Sequence, residues 1–250
     1  MESPHRTRWQ VIPTDAGRLP SGSPDLDQLL NGGLEPGTIT QFFGEPASGK
    51  SSACILAAVT CLFSGRSVVF IDTEGFSIER FRQIAGEHAA DLAEHLYIYE
   101  PTDFDQQGVM IAGMDTLVRT RNVGLIIVDS ATALYRMNLE KGWDAMQKLT
   151  RQIILLLGLA KRYRIPVVVT NQVYMDVVKN VYSGLGGTAL EHISKSIIRF
   201  SREQGAVRRA TLMKHRSLPA GDFFDFVITE TGIRNTSEPG QEQESSPGPR

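Results

Sequence analysis

The chain has 250 residues, 41% of them hydrophobic and 22% charged, with a formal net charge of −2. That is long enough for one large α/β domain with a sizeable core, and it excludes a global basic field, so any nucleic-acid binding must come from a local patch. The longest apolar runs, such as Ile153 to Leu157, fall far short of a membrane span, and the start around Arg6, Arg8 and Trp9 lacks the apolar stretch of a signal peptide, so a cytoplasmic protein with no membrane partner is expected.

Residues 1–18 are polar, contain Pro4 and Pro13, and read as a tail or an ordered arm. An apolar strand, Thr38 to Phe43, then leads into a loop and a helix-like stretch, Ser52 to Phe63. The loop, Gly44, Glu45, Pro46, Ala47, Ser48, Gly49, Lys50 and Ser51, spells the full G-x-x-x-x-G-K-[ST] phosphate-binding pattern in the strand–loop–helix context it requires. Its glycines let backbone N–H groups turn onto phosphate oxygens, and the helix N-terminus at Ser51 and Ser52 adds partial positive charge. Lys50 is expected to reach the β- and γ-phosphates of ATP, and Ser51 to ligate Mg²⁺.

Further along, Ser67 to Ile71 is a β-branched strand ending in Asp72, Ile78 to Glu94 has helical spacing, and Leu96 to Tyr99 is a short strand. Gln106 to Arg119 reads as a helix, Leu125 to Val128 as a buried strand ending in Asp129, Trp143 to Arg164 as a long helix, and Pro166 to Thr170 as the next strand. This alternation implies a mostly parallel sheet with helices on both faces. Ser196 to Arg202, Arg208 to Lys214 and Phe223 to Thr229 follow as consecutive strands with short turns, which suggests antiparallel additions at one edge. From Asn235 to Arg250 the chain is rich in Ser, Glu, Gln, Pro and Gly and is expected to be disordered. Cys54 and Cys61 lie seven apart in one helix, about 10 Å along its axis, and read as buried small residues rather than a disulfide or metal site. The five histidines show no ligand spacing.

Three strand ends carry further candidates. Asp129 closes an apolar strand and is placed to hold Mg²⁺ with Ser51, and it can equally cap a helix. Glu74, in Asp72-Thr73-Glu74-Gly75, stands where ligands gather in parallel sheets and can orient or deprotonate a water facing the γ-phosphate; a solvated turn glutamate is the plain reading. Gln172, after Thr170-Asn171, offers an amide that can donate to the γ-phosphate and so sense hydrolysis, or simply ends a strand.

Val128 to Arg136, Thr170 to Val173, Ile71 to Gly75 and the lead-in Ser21 to Leu34 together resemble the RecA/RadA recombinase family over residues 19–233. The resemblance implies a RecA-like P-loop ATPase core, with a tail at 1–18 and another at 234–250. The stretch before the core leaves no room for the helical DNA-binding domain or the polymerisation linker of RadA, and the two DNA-binding loops, about Met137 to Asp144 and Tyr174 to Leu185, look short. Such a core-only chain resembles the archaeal RadB family. That likeness implies an ATP-binding and DNA-binding protein of recombination and repair, with weak ATPase. It would assist or regulate a RadA-type recombinase rather than exchange strands, as a monomer or small oligomer.

The family also suggests Arg80 as the arginine that stacks on adenine, although the turn before it is one residue shorter and a surface role is open. Lys214 and Arg216 resemble a basic pair that reaches a neighbouring subunit's γ-phosphate, or they are a solvated strand edge. The resemblance further implies a cis Asp129–Ser130 peptide. Arg136, Lys141, Tyr174, Lys179 and Tyr182 mix basic and aromatic groups in loops, which suits single-stranded DNA. A KaiC-like signalling ATPase shares the core and the Lys-x-Arg pair and stands as the alternative, and a module that keeps ATP only as a structural ligand stands as a third reading.

Overall fold

The computed structural model describes residues 17–176, 181–185 and 187–236. In chain order the elements are α1 (Pro24–Leu29), β1 (Ile39–Gly44), α2 (Lys50–Phe63), β2 (Ser67–Asp72), α3 (Ile78–Ala85), α4 (Ala89–Ala93), β3 (Leu96–Tyr99), α5 (Phe104–Gly113), α6 (Asp115–Thr120), β4 (Val123–Asp129) and α7 (Ala133–Arg136). There follow α8 (Gly142–Tyr163), β5 (Val167–Asp176), β6 (Val181–Gly184), α9 (Gly187–Ile193), β7 (Ser196–Arg202), β8 (Arg208–Lys214), β9 (Phe223–Thr229) and β10 (Gly232–Asn235).

One sheet runs β10-β9-β8-β7-β1-β5-β4-β2-β3, with β6 added to β5. β1 pairs in parallel with both β5 and β7, and β4 and β2 continue the parallel set to β3. β8, β9 and β10 then extend the other edge antiparallel. The expected α/β architecture, parallel at the centre with antiparallel additions, is the one observed; β7 itself joins in parallel, beside β1.

Alternate residues of each central strand supply opposite faces. Phe42, Val68, Phe70, Leu125, Ile127, Val168 and Ile198 meet α1 and α2, while Ile39, Val69, Ile71, Ile126, Val128, Val167 and Val169 meet α5 and α8. Burial on both faces explains why these strands read as unbroken apolar runs. Cys54 and Cys61 are free and buried in the first of these layers, and burial pushes the Cys61 thiol up to about 11.

Several expected boundaries move. The helix read over 78–94 is interrupted at Gly86, whose φ of 60° ends α3 before a short 3-10 turn and α4. The helix read over 106–119 divides at Met114 into α5 and α6. The strand expected to stop at Thr170 runs on to Asp176 and pairs antiparallel with β6, so part of the second expected loop is sheet. The core expected to end at 233 includes Asn235, which pairs with Phe226 and donates to the Asp25 carboxylate at 2.6 Å. Arg18, assigned to the tail, donates to the Leu30 and Gly33 carbonyls. The remaining tail expectations, 1–16 and 237–250, lie outside the described residues.

Candidate nucleotide site

Strand register alone assembles the site. Gly44 stands opposite Gln172 across β1 and β5, and Asp72 opposite Asp129 across β2 and β4, so the ends of β1, β2 and β4 and a position within β5 form one row. The phosphate-binding loop springs from that row into α2, whose N-cap Gly49 has φ 103°. Pro46 to Ser52 line a pocket of about 270 Å³ together with Glu74, Arg208 and Ile228. Lys50 is buried, and its Nζ donates to the Gly44 and Glu45 carbonyls at 2.9 Å each. Burial lowers its pKa, opposed by the charges of Asp129 and Glu74. Among the described residues the buried Ser48 hydroxyl has no hydrogen-bond partner, a donor left open in the loop.

The loop is held from beneath by the antiparallel edge. A Cβ on Gly44, at φ 152°, would lie 1.9 Å from the Phe200 carbonyl oxygen, and one on Gly49 would lie 3.0 Å from the Phe226 ring. Phe42, Phe200, Phe226 and Phe224 form a chain of aromatic contacts under the loop, with centroids 5.1 to 6.0 Å apart. The Glu45 carboxylate accepts from the Arg202 backbone N–H at 2.8 Å. Gly44→Ala must therefore displace backbone. We expect it to cost about 3 kcal/mol, or roughly 6–12 °C in melting temperature. Unchanged thermal unfolding would show that the β1–β7 contact yields freely.

Asp129 is 4% exposed and its pKa is raised by burial, against hydrogen bonds from Thr170 and Ser51. The Thr170 hydroxyl donates to it at 2.5 Å. The Asp129–Ser130 peptide is cis, as the resemblance implied. Thr73 ties this turn to the end of β2. Its N–H donates to the Asp129 carbonyl at 2.8 Å, and its hydroxyl donates to the Ser130 carbonyl and accepts from the Ser130 N–H. The buried Asp72 carboxylate accepts from the Glu74 and Gly75 N–H groups, a local turn that aims Glu74 into the pocket. Gln172 Nε2 then donates to Glu74 Oε1 at 2.9 Å. Glu74 and Gln172, read from different strands, are thus in contact.

Mg²⁺ fits a sparse donor set. Among the described residues no cluster of three or more metal-ligating side chains occurs, yet Mg²⁺ usually takes one or two protein oxygens and fills its shell with phosphates and water. The Ser51 hydroxyl, which lines the pocket, is hydrogen-bonded to the buried Asp129 carboxylate, and the two suit that role. When bound there, Mg²⁺ would neutralise phosphate charge.

Other candidates fall elsewhere. The Arg80 guanidinium donates to the Thr229 and Gly232 carbonyls at 2.5 and 2.7 Å and to Gln83, so it clamps the β9–β10 turn and is not among the residues lining the loop pocket. The reading of Lys214 and Arg216 as one face of a strand is corrected. A bulge shifts the register between Ile197 and Ile198, β8 ends at Lys214, and Arg216 lies beyond it. Lys214 donates to the Glu191 carbonyl at 2.6 Å, while Arg216 pairs with Glu35, which also faces Arg18 at 3.7 Å. Arg136 is exposed at the end of α7. Lys179 and the side chains of Lys141, Tyr174 and Tyr182 lie outside the described residues.

Sequence reasoning missed Thr73, Thr132, Thr170, Asn171, Arg208 and Ile228. The Thr132 hydroxyl donates to Asn171 Oδ1 at 2.8 Å and accepts from the Gln172 N–H, and Asn171 Nδ2 donates to the Leu185 carbonyl at 2.9 Å. The threonines and Asn171 lie within the motifs quoted for the resemblance but were given no role, so the motifs themselves were the available signal. Arg208 and Ile228 sit on late antiparallel strands and had none.

A parallel sheet with a phosphate loop after its first strand, a carboxylate and an amide on neighbouring strand ends, and an antiparallel edge define a RecA-like P-loop ATPase core. The family model for Rad51 matches residues 14–236. A DNA repair and recombination protein RadB from Methanoculleus marisnigri is 59% identical over 219 residues, 87% of this chain and 97% of that protein. Its counterpart from Methanococcoides burtonii is 44% identical over 220 residues, again 87% and 97%. The crystal structure of the RadB recombinase matches with a TM-score of 0.76 at 36% identity, over 86% of this chain and 98% of that one. The chain belongs to the Rad51 family, within its archaeal RadB group.

Proposed function

We propose that this chain binds ATP with Mg²⁺ in the Gly44–Ser51 loop, hydrolyses it slowly through Glu74, and binds DNA, preferring single strands. In this reading it assists or regulates a RadA-type recombinase in the cytoplasm, as a monomer or small oligomer. The observation that carries the proposal is the continuity of β5. One strand, Val167–Asp176, brings Gln172 against Glu74 and then passes into the segment that includes Tyr174. Nucleotide state and DNA contact would share that strand. Nothing in the comparisons favours the signalling-ATPase alternative.

DNA binding is tested by mobility shift with single- and double-stranded oligonucleotides across a salt series. With a net charge of −2 only local Arg and Lys meet phosphates, so few counterions are released and the salt dependence should be shallow. Joint replacement of Lys179 and Tyr182 should weaken binding; stacking alone contributes roughly 1–3 kcal/mol per base. Full affinity in that double variant would move the site off the second loop. Co-purification tests the partner, and a RadA-type recombinase that the immobilised chain fails to retain with ATP would remove that part of the reading.

A further inference from the structure

The guanidinium of Arg208 differs from several others in the chain. Arg209, its neighbour, is paired bidentately with Asp225 at 2.7 and 2.9 Å, Arg162 pairs with Asp115, and Arg18 and Arg216 share Glu35. Among the described residues no carboxylate pairs with Arg208. Its Nε donates to the Ala47 carbonyl at 3.0 Å and its Nη1 to the Ala206 carbonyl at 2.7 Å, while Nη2 has no hydrogen-bond partner among those residues.

Its direction follows from the sheet. Arg208 stands opposite Phe226 in the β8–β9 register, so the two side chains share a face. Phe226 is the residue whose ring lies against Gly49, and the Arg208 Cδ itself lies 3.4 Å from where a Gly49 Cβ would stand. Ile228, two residues on from Phe226 and on the same face, lines the same pocket. The antiparallel edge therefore gives the phosphate loop a wall with one cationic and one apolar residue.

The Arg208 guanidinium brings donor capacity to the rim of the phosphate loop beyond its two carbonyl contacts. It is partly buried and lines the same pocket as the buried Lys50. Among the described residues, two cationic side chains, Lys50 and Arg208, thus line this pocket against one carboxylate, Glu74, a set that suits a polyanion. A nucleoside polyphosphate is that polyanion. We infer that Arg208 binds a phosphate oxygen of the nucleotide within the same subunit, as a second cation beside Lys50. The inference rests on the ATP-binding reading above.

The test uses titration of the full chain with methylanthraniloyl-labelled ATP and ADP, comparing Arg208→Gln, which keeps an amide donor but loses the charge, with Arg208→Lys, which keeps the charge. Hydrogen bonds to charged groups contribute enough that Arg208→Gln should bind the ATP probe roughly 10- to 100-fold more weakly. Arg208→Lys should fall between that variant and the parent. Loss confined to ATP assigns the contact to the terminal phosphate, and loss shared by ADP assigns it to an inner one. Parent affinity in Arg208→Gln overturns the inference, as does equal weakness of the Lys and Gln variants, which would mean that the guanidinium shapes the loop without meeting phosphate. Lys50→Ala run alongside separates the two readings. Parent affinity there removes the phosphate loop itself, whereas loss there with none in Arg208→Gln removes only the role of Arg208.

Discussion

Lys50→Ala is expected to weaken ATP binding by roughly 10²-fold or more, because each charge-assisted hydrogen bond to a phosphate contributes about 1.5–3 kcal/mol and a lysine ammonium can make more than one. The structure gives the physical setting. Lys50 is 9% exposed, and its ammonium already lies against two loop carbonyls, within the field of Asp129 and Glu74. Burial works against its charge, so the site bears a desolvation cost that crowded phosphate oxygens would offset. Alanine removes the only lysine among the described residues lining this pocket. Calorimetric or fluorescent-nucleotide titration measures the change, and thermal unfolding of the free chain checks that the loop still folds. Affinity equal to the parent's would remove the phosphate-loop reading.

How much of this was legible before the structure depends on the range of the interaction concerned. The phosphate loop is local: eight consecutive residues, a strand before and a helix after, with glycines where φ is 152° and 103°. Asp72, Asp129 and Gln172, which follow the apolar runs, are regional, since apolar runs buried on both faces mark parallel strands and the C-terminal ends of their parallel pairing converge. What failed was non-local or hinged on a single residue. In the run Ile78 to Glu94 the helical spacing outweighed Gly86, whose freedom to take φ 60° ends α3 there. Alternation placed Lys214 and Arg216 on one face, yet β8 ends at Lys214, so strand parity does not carry on to Arg216. Arg80 was read from its place after the Thr-Glu-Gly turn, and its partners, the Thr229 and Gly232 carbonyls, lie some 150 residues away. Arg208 and Ile228 reach the loop only because β8 and β9 fold back beside β7, which no short pattern encodes.

Glu74→Gln should leave ATP binding near the parent's and lower turnover by roughly 10²–10⁴-fold, the range set by loss of one positioned general base. The substitution is nearly isosteric, and Gln172 Nε2 can still donate to an amide oxygen at position 74, so the 2.9 Å contact between the two strand ends is preserved. Asp72 accepts from the backbone N–H groups of residues 74 and 75, and that turn does not depend on the side chain at 74. Geometry is therefore held while basicity is lost, which makes the variant a test of the carboxylate rather than of the fold. Binding is read from nucleotide titration and turnover from phosphate release, each with and without single-stranded DNA. The Gln172 contact adds a second arm. Gln172→Ala frees Glu74 without removing its charge, so basal turnover should fall less than in Glu74→Gln, while any effect of DNA on turnover should shrink, because β5 would no longer tie the two sites together. Parent-like turnover in Glu74→Gln would assign the water elsewhere in the pocket. The buried Asp72 carboxylate, also at the end of β2, would then be the group to replace next.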